Sequence, residues 1–441
     1  MLVELSRYNP WWASGTVPRE LLGRKRKKVW QEIEPFLDSR QIILLYGLRR
    51  VGKTTQMYQI IQRYLDQNVH PTKILYFSFD DYVHDLRDLL AKYEEIIGEP
   101  LTPSSQVYLF FDEIQKLPDW QNKIKILYDL YPKIKIFLSG SASATLHRKS
   151  NESLAGRLFE FFVPPLDFAE YLEWVGVEYP QDKLQLVGHI IKPRLSHYML
   201  TGGFPEIVSE DSQLKITQYI KNTVLNRIIL QDIPEEFGAT DYMLLKALSM
   251  YLLQRPGMLL NFNNLASDFQ KSALTIRNYV AYFVMTFLVR EVYNWRGRLA
   301  LPSKKARKVY PTNTAFNLVF VPEFEAAKER LYETAVANYL DARFYYRNGF
   351  EVDFVIQTDM EIIPIEVKSG DKIQSALKQI KSFVKRFSDD GRGDRPAKLP
   401  VNRAFIITHN TRKRVGNVTV LPLWEFLLTG QELVYGQKAC S

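Results

Sequence analysis

Three sets of residues have the types and spacing for chemistry. The first is Gly47-Leu48-Arg49-Arg50-Val51-Gly52-Lys53-Thr54, which reads G-x-x-x-x-G-K-T. Its two glycines let a loop wrap so that successive backbone N–H groups face an anion. Lys53 then reaches the β- and γ-phosphates of a nucleoside triphosphate, and the Thr54 hydroxyl holds Mg²⁺. Thr55 carries the loop into a helix whose free N–H groups and dipole favour the same negative charge. The second set is Asp112-Glu113, an aspartate for the Mg²⁺ shell followed by a glutamate that polarises the attacking water. The third is Asp353, Glu366 and Lys368, with Glu333 upstream as a candidate fourth member. Paired carboxylates are costly without a cation, so they suit Mg²⁺ or Mn²⁺, and the lysine orients water for attack on a phosphodiester. The same residues also fit a plain ion-pair set on an edge hairpin.

These residues need elements to position them. The apolar run 42–46 reads as a buried strand ending at Gly47. Residues 55–65 read as a helix with Met57, Ile60, Ile61 and Tyr64 on one face. Runs 73–79, 107–111 and 133–138 read as three further strands. Alternating strands and helices predict a parallel sheet whose ligands gather at the carboxyl edge. Ser139 follows the fourth strand, where a hydroxyl senses a γ-phosphate or merely makes a turn. Arg157 is either an arginine finger, in cis or from a neighbouring subunit, or a surface residue.

The expected domains are a nucleotide-binding core over 1–165, a helical lid packed on it over 166–237, a winged helix-turn-helix over 238–312, and an α/β domain over 313–441. In the third, Ser272, Thr275, Arg277 and Asn278 fall at the exposed start of a recognition helix. Arg296, Arg298, Lys304, Lys305, Arg307 and Lys308 cluster in the wing, where cations meet phosphates. Packing between domains is the other use of such a module. In the fourth, a hairpin centred on Asp359-Met360 sets Asp353 across from Glu366, and the two-residue step puts Lys368 on the same face. Gln379, on a following helix, faces the same place.

The net charge of +9 favours nucleic acid or another polyanion as partner. The one cysteine, Cys440, rules out an intramolecular disulfide framework and a cysteine zinc site. No run of 18 apolar residues and no signal-peptide pattern occurs, so the expectation is a cytoplasmic protein without a membrane partner. Self-association and a protein partner both stay open.

The phosphate loop and Asp112-Glu113 resemble P-loop ATPases of AAA type, and Asp353 with Glu366-Val367-Lys368 resembles the PD-(D/E)XK nuclease superfamily. Together with Asn9-Pro10-Trp11-Trp12, Gly202-Gly203-Phe204-Pro205 and Asp232-Ile233-Pro234, the chain resembles prokaryotic ATPases that pair an AAA-type domain with a C-terminal domain of unknown function of the DUF4143 type. The resemblance implies ATP with Mg²⁺, a winged-helix middle and a restriction-endonuclease-like end. On this sequence Gly47, Gly52, Lys53 and Thr54 would hold phosphates and Mg²⁺, Asp112 would face the metal, and Glu113 would activate water. Such chains usually read lysine, two apolar residues, aspartate and glycine before the last domain, whereas here Lys308-Val309-Tyr310 runs on to Pro311-Thr312-Asn313-Thr314. Members often lose nuclease residues; these are intact. The leading reading is an ATP-hydrolysing switch that binds DNA and cuts it. The alternatives are a nucleotide-gated DNA- or protein-binding regulator with a dead nuclease fold, and an ATPase that remodels proteins.

Overall fold

The computed structural model describes residues 2–80, 85–141, 154–180, 183–296, 307–321, 323–368, 372–388 and 399–436. Cys440, Arg298, Lys304 and Lys305 lie outside them. The chain divides into two compact units, Met1–Pro165 and Leu166–Ser441.

In the first unit, five strands form one parallel sheet: β1 (Ile42–Tyr46), β2 (Ile74–Ser78), β3 (Tyr108–Asp112), β4 (Lys135–Gly140) and β5 (Leu158–Phe162), in the order β2-β3-β4-β1-β5. Ile42, Ile43, Leu44 and Leu45 are fully buried, as a strand covered on both faces requires. The helix Lys53–Asp66 buries Met57, Ile60, Ile61 and Tyr64 on one face, the spacing that the sequence shows. The edge strand β5 is an element that the sequence reading lacked. Its burial is only partial, so its apolar run does not stand out as a core strand.

The other edge, β2, is clasped by the N-terminal segment. Asn9 donates from Nδ2 to the Tyr76 carbonyl (2.9 Å) and accepts from the Tyr76 N–H (2.6 Å), doing for the outer strand what a sixth strand would. Trp11 and Trp12 both donate their indole N–H to the Ile74 carbonyl, at 3.1 and 2.8 Å.

The second unit begins with helices. Phe168–Trp174 starts at a capping box of Asp167 and Glu170, and Leu184–Thr201 follows. The helix that begins at Gln213–Tyr219 widens into i→i+5 turns over Ile220–Leu225 and Ile228–Asp232 before Ile233–Phe237. These helices were expected to lie on the nucleotide-binding core. Instead Phe168, Tyr171, Leu172, Ile191, Leu195 and Met199 share one apolar core with Val336, Phe354, Ile363, Phe405 and Phe426 of the chain's last part. The expected lid is therefore part of the second unit's own interior.

Next come the helix Tyr242–Leu253, β6 (Met258–Leu260), the helices Phe262–Asp268 and Ala273–Met285, β7 (Val289–Asn294) and β8 (Arg307–Pro311). β8 pairs antiparallel with both β6 and β7. β9 (Phe344–Arg347) pairs parallel with β7, and β10 (Glu351–Val352) antiparallel with β9, giving the sheet β10-β9-β7-β8-β6. A third sheet holds β11 (Phe354–Gln357), β12 (Ile362–Val367), β13 (Ala404–Thr408), β14 (Lys413–Val415) and β15 (Val418–Pro422), in the order β11-β12-β13-β15-β14. Phe324–Tyr339, Ile373–Ser388 and Leu423–Tyr435 are the helices of this part.

Candidate functional sites

The loop after β1 is built on one steric demand. A side chain at Gly47 would strike the Val163 carbonyl, and Gly47 takes φ +152°, so only glycine fits where the strand turns into the loop. Gly52 (φ +95°) then precedes the helix that starts at Lys53. The Lys53 ammonium is folded back on its own loop, donating to the carbonyls of Leu48 (2.9 Å) and Gly47 (3.3 Å). Arg26, buried, donates to the carbonyls of Pro164 (2.5 Å), Pro165 (3.2 Å) and Val51 (3.5 Å), and so anchors the back of the loop.

Four groups converge on Asp112 at the carboxyl end of β3. Oδ2 accepts from the Thr54 hydroxyl at 2.6 Å and from the Tyr76 hydroxyl at 2.9 Å. Oδ1 accepts from the Ser139 hydroxyl and from the Glu113 N–H, the latter at 3.0 Å. Thr54 and Asp112 supply the hard oxygen donors that Mg²⁺ takes. Glu113 stands in the left-handed region, φ +51°, turned off the strand axis; Gln115 donates to it at 2.6 Å, and Arg49 lies 4.0 Å away. Sequence reasoning missed Tyr76. Its signal was available: alternation along β2 points every second residue to one face, and β2 neighbours β3.

Arg157 requires a correction. Its carbonyl accepts from the Ile42 N–H, at the amino end of β1, whereas the phosphate loop leaves the carboxyl end. A five-residue strand separates them by about 17 Å. Its guanidinium instead pairs with Asp129 at 2.9 Å. Arg157 does not line this chain's own phosphate site.

The second cluster lies in the C-terminal sheets. The pairing Phe354↔Ile365 continues the register that sets Asp353 opposite Glu366. Lys368 Nζ lies 2.9 Å from Asp353 Oδ2 and 3.0 Å from Glu366 Oε2. Asp353 Oδ2 also accepts from the Val367 N–H at 2.9 Å. Turned so that its nitrogen faces the carboxylate, the Gln379 amide reaches Glu366 at 3.2 and 3.3 Å. Asp353 and Glu366 are 5% and 1% exposed.

Lys308 is the residue that the sequence reading misplaced. Expected as an exposed wing cation, it is 4% exposed, with its ammonium 2.7 Å from Glu351, 3.4 Å from Glu333 and 3.9 Å from Asp353. Arg307, its neighbour, is spent on Glu291 at 2.9 Å. Lys308 and Tyr310 are two apart on β8, hence on one face, and the Tyr310 hydroxyl donates to Glu333. That i, i+2 step was the legible signal. Glu333 thus joins the cluster through Lys308 and Tyr310 rather than by closing on Asp353 and Glu366. Among the described residues no three carboxylate, imidazole or thiol groups surround one point as a metal cage does.

Burial and the Asp353 charge push the Glu366 carboxyl well above its ordinary range, and burial with the same charge raises Glu333. Burial alone would raise Asp353 too, yet the ammonium groups of Lys368 and Lys308 hold it below the usual carboxylate range.

Residues 39–172 match the family model of an AAA domain. Residues 192–319 match a domain of unknown function, DUF8612, and residues 328–426 another, DUF4143. The first unit therefore has the parallel α/β fold and the loop of an AAA-type P-loop NTPase, and a DUF4143 segment ends the chain. Two uncharacterised proteins of Methanocaldococcus jannaschii are similar over almost the whole length. One is 26% identical across 92% of this chain and 93% of its own, the other 29% identical across 91% and 87%. An uncharacterised Haemophilus influenzae protein is 28% identical across 62% of this chain and 68% of its own. Among solved structures, the Aeropyrum pernix ORC1 protein in complex with DNA aligns with 73% of this chain and 98% of its own at 14% identity and TM-score 0.32. Pyrobaculum aerophilum Cdc6p aligns with 71% and 99% at 13% identity and TM-score 0.28. Scores this low carry no inference for this chain. Among the described residues no helix is long and apolar enough to cross a membrane.

Proposed function

We propose that the chain is a Mg²⁺-dependent ATP hydrolase whose second unit binds DNA and carries a metal-dependent phosphodiesterase centre. The observation that carries the first half is the Thr54–Asp112 contact of 2.6 Å directly beyond Lys53. Bound Mg²⁺ supplies charge neutralisation at the phosphates. Lys53 exchanges the Leu48 and Gly47 carbonyls for phosphate oxygens. Tyr76 and Ser139 hold the Asp112 carboxylate in one orientation, and Glu113, itself held by Gln115, takes up the proton of the attacking water.

For the second half, the order helix, strand, helix, helix, strand, strand with β6-β8-β7 paired supports a winged-helix reading. Ser272 is occupied as the cap of Ala273–Met285 and Arg277 and Asn278 stay exposed, so these two are the DNA-facing candidates. In the carboxylate cluster, Glu333, Glu351, Asp353 and Glu366 face only Lys308 and Lys368, a formal surplus of two negative charges that one divalent cation would cancel. Asp353, Glu366 and the neighbouring backbone offer hard oxygens for Mg²⁺ or Mn²⁺.

A second reading has its own observation. Lys368 already bridges Asp353 and Glu366, which favours a DNA-binding regulator with an inert, ion-paired centre. Incubation of linear, nicked and branched DNA with Mn²⁺ or Mg²⁺, with and without ATP, separates the two. Cleavage by wild type that is lost in Asp353→Ala and in Glu366→Ala supports the nuclease. No cleavage of any substrate by wild type leaves the inert centre.

A further inference from the structure

A cleft of about 440 Å³ opens in the first unit between the segment around Leu22, Gly23 and Lys25, the indole of Trp30, Glu34, and the helix Lys53–Asp66 at Gln59. Two of its lining side chains carry buried polar atoms with no partner among the described residues: Trp30 Nε1, a donor, and Gln59 Oε1, an acceptor. Trp30 is 6% exposed and Gln59 9%. The orientation of the Gln59 amide is not arbitrary. Its Nε2 donates to the carbonyls of Leu22 (2.6 Å) and Arg24 (3.3 Å), so the nitrogen must face them and the oxygen must face away. The Lys25 ammonium covers one face of the Trp30 ring, 3.7 Å from its centroid, which fixes the indole. Buried unmatched donors and acceptors cost free energy, and a native fold that holds two of them in one cleft points to a ligand that matches both.

We propose that this cleft binds a nucleobase, the Trp30 N–H donating to a ring nitrogen or carbonyl and Gln59 Oε1 accepting from an amino or ring N–H. Every base that pairs presents a donor beside an acceptor on one planar edge, and the apolar walls of Leu22 and Trp30 suit its faces. The base has two sources. One is the nucleotide held by the phosphate loop: Gln59 stands four residues, one helical turn, beyond Thr55, and Thr55 lies against Gly23. In that case the proposal rests on the nucleotide reading above. The other is a separate nucleoside-type ligand, since none of residues 47–55 lines the cleft.

The test is calorimetric titration of the full chain with Mg²⁺ and three probes: a non-hydrolysable ATP analogue, inorganic triphosphate and adenosine. Wild type is compared with Trp30→Phe, which keeps a ring and removes the donor, and with Gln59→Met. Loss of one buried hydrogen bond weakens a base-bearing ligand by about tenfold. The expected result is that weakening for the analogue with triphosphate unchanged, which assigns the cleft to the base of the loop's own nucleotide. Weakening for adenosine alone supports the separate ligand. Unchanged affinity for both base-bearing probes in both variants overturns the proposal. So does an equal loss for triphosphate, which would report a damaged fold. Triphosphate that fails to bind wild type would sink the phosphate-loop reading instead and leave the adenosine comparison to decide the cleft.

Discussion

Lys53 and Glu113 are separable by their effects. Lys53→Ala removes the one cation within the loop and is expected to abolish nucleotide binding, read as the absence of a calorimetric signal with the ATP analogue. Glu113→Gln keeps the hydrogen-bonding shape but not the base. ATP should bind as in wild type while turnover falls by about 10²- to 10⁴-fold; normal turnover would reassign Glu113 as structural. In the buried cluster the sign of the pH effect follows from Glu366. Its folded-state affinity for protons is raised above the ordinary 4.5, so the folded chain binds more protons than the unfolded one above that pH. The stabilisation is full below pH 4.5 and is lost as pH rises through the raised value. Denaturation midpoints in EDTA should therefore fall from pH 5 to 8, and Glu366→Gln should flatten that fall; an unchanged slope would place the titration elsewhere. The carboxylates were legible because motif spacing survives folding. Lys308 was not, since a lysine beside arginine and lysine reads as a solvated patch until β8 is seen to run beneath the carboxylates.

At the scale of elements, Asn9 is the cheapest lever. Asn9→Ala strips hydrogen bonds from both the N–H and the carbonyl of Tyr76 on the buried edge of β2, as well as from the Leu5 carbonyl. The expected destabilisation is about 2 kcal/mol or more, because the orphaned groups cannot regain water. A melting temperature equal to wild type would mean that the clasp contributes nothing. The hairpin register was readable from the sequence because two residues equidistant from a turn must face each other. The partner of β7 was not readable. Its pairing with β9 bridges some fifty residues, and nothing local specifies which strand a four-residue element joins. The widened turns over Ile220–Leu225 and Ile228–Asp232 were also invisible, since apolar periodicity does not distinguish i→i+4 from i→i+5 bonding.

At the scale of the whole molecule, the +9 charge makes a testable statement about association. DNA affinity should fall steeply with salt, and Arg277→Ala should flatten the log–log slope by about one counterion if that guanidinium meets a phosphate. A slope identical to wild type would move Arg277 to its packing role over the Phe262 ring. Composition alone favoured a polyanionic partner, but it could not say which cations are available. Arg307 and Lys308 prove to be internal counter-ions, so the usable charge is smaller than the sequence count. The expected lid failed for a related reason: amphipathic periodicity shows that a helix has an apolar face, not which core receives it.

The parallel pairing of β7 with β9 carries one more consequence. Family boundaries fall between residues 319 and 328, yet the sheet runs straight across them. A fragment cut there would leave β9 as a raw template and deprive the carboxylates of Lys308, so the excised terminal piece should precipitate rather than fold. Inheritance of the two segments is then all or nothing. Recombination that swapped one without the other would have to supply both a matching strand and a buried lysine.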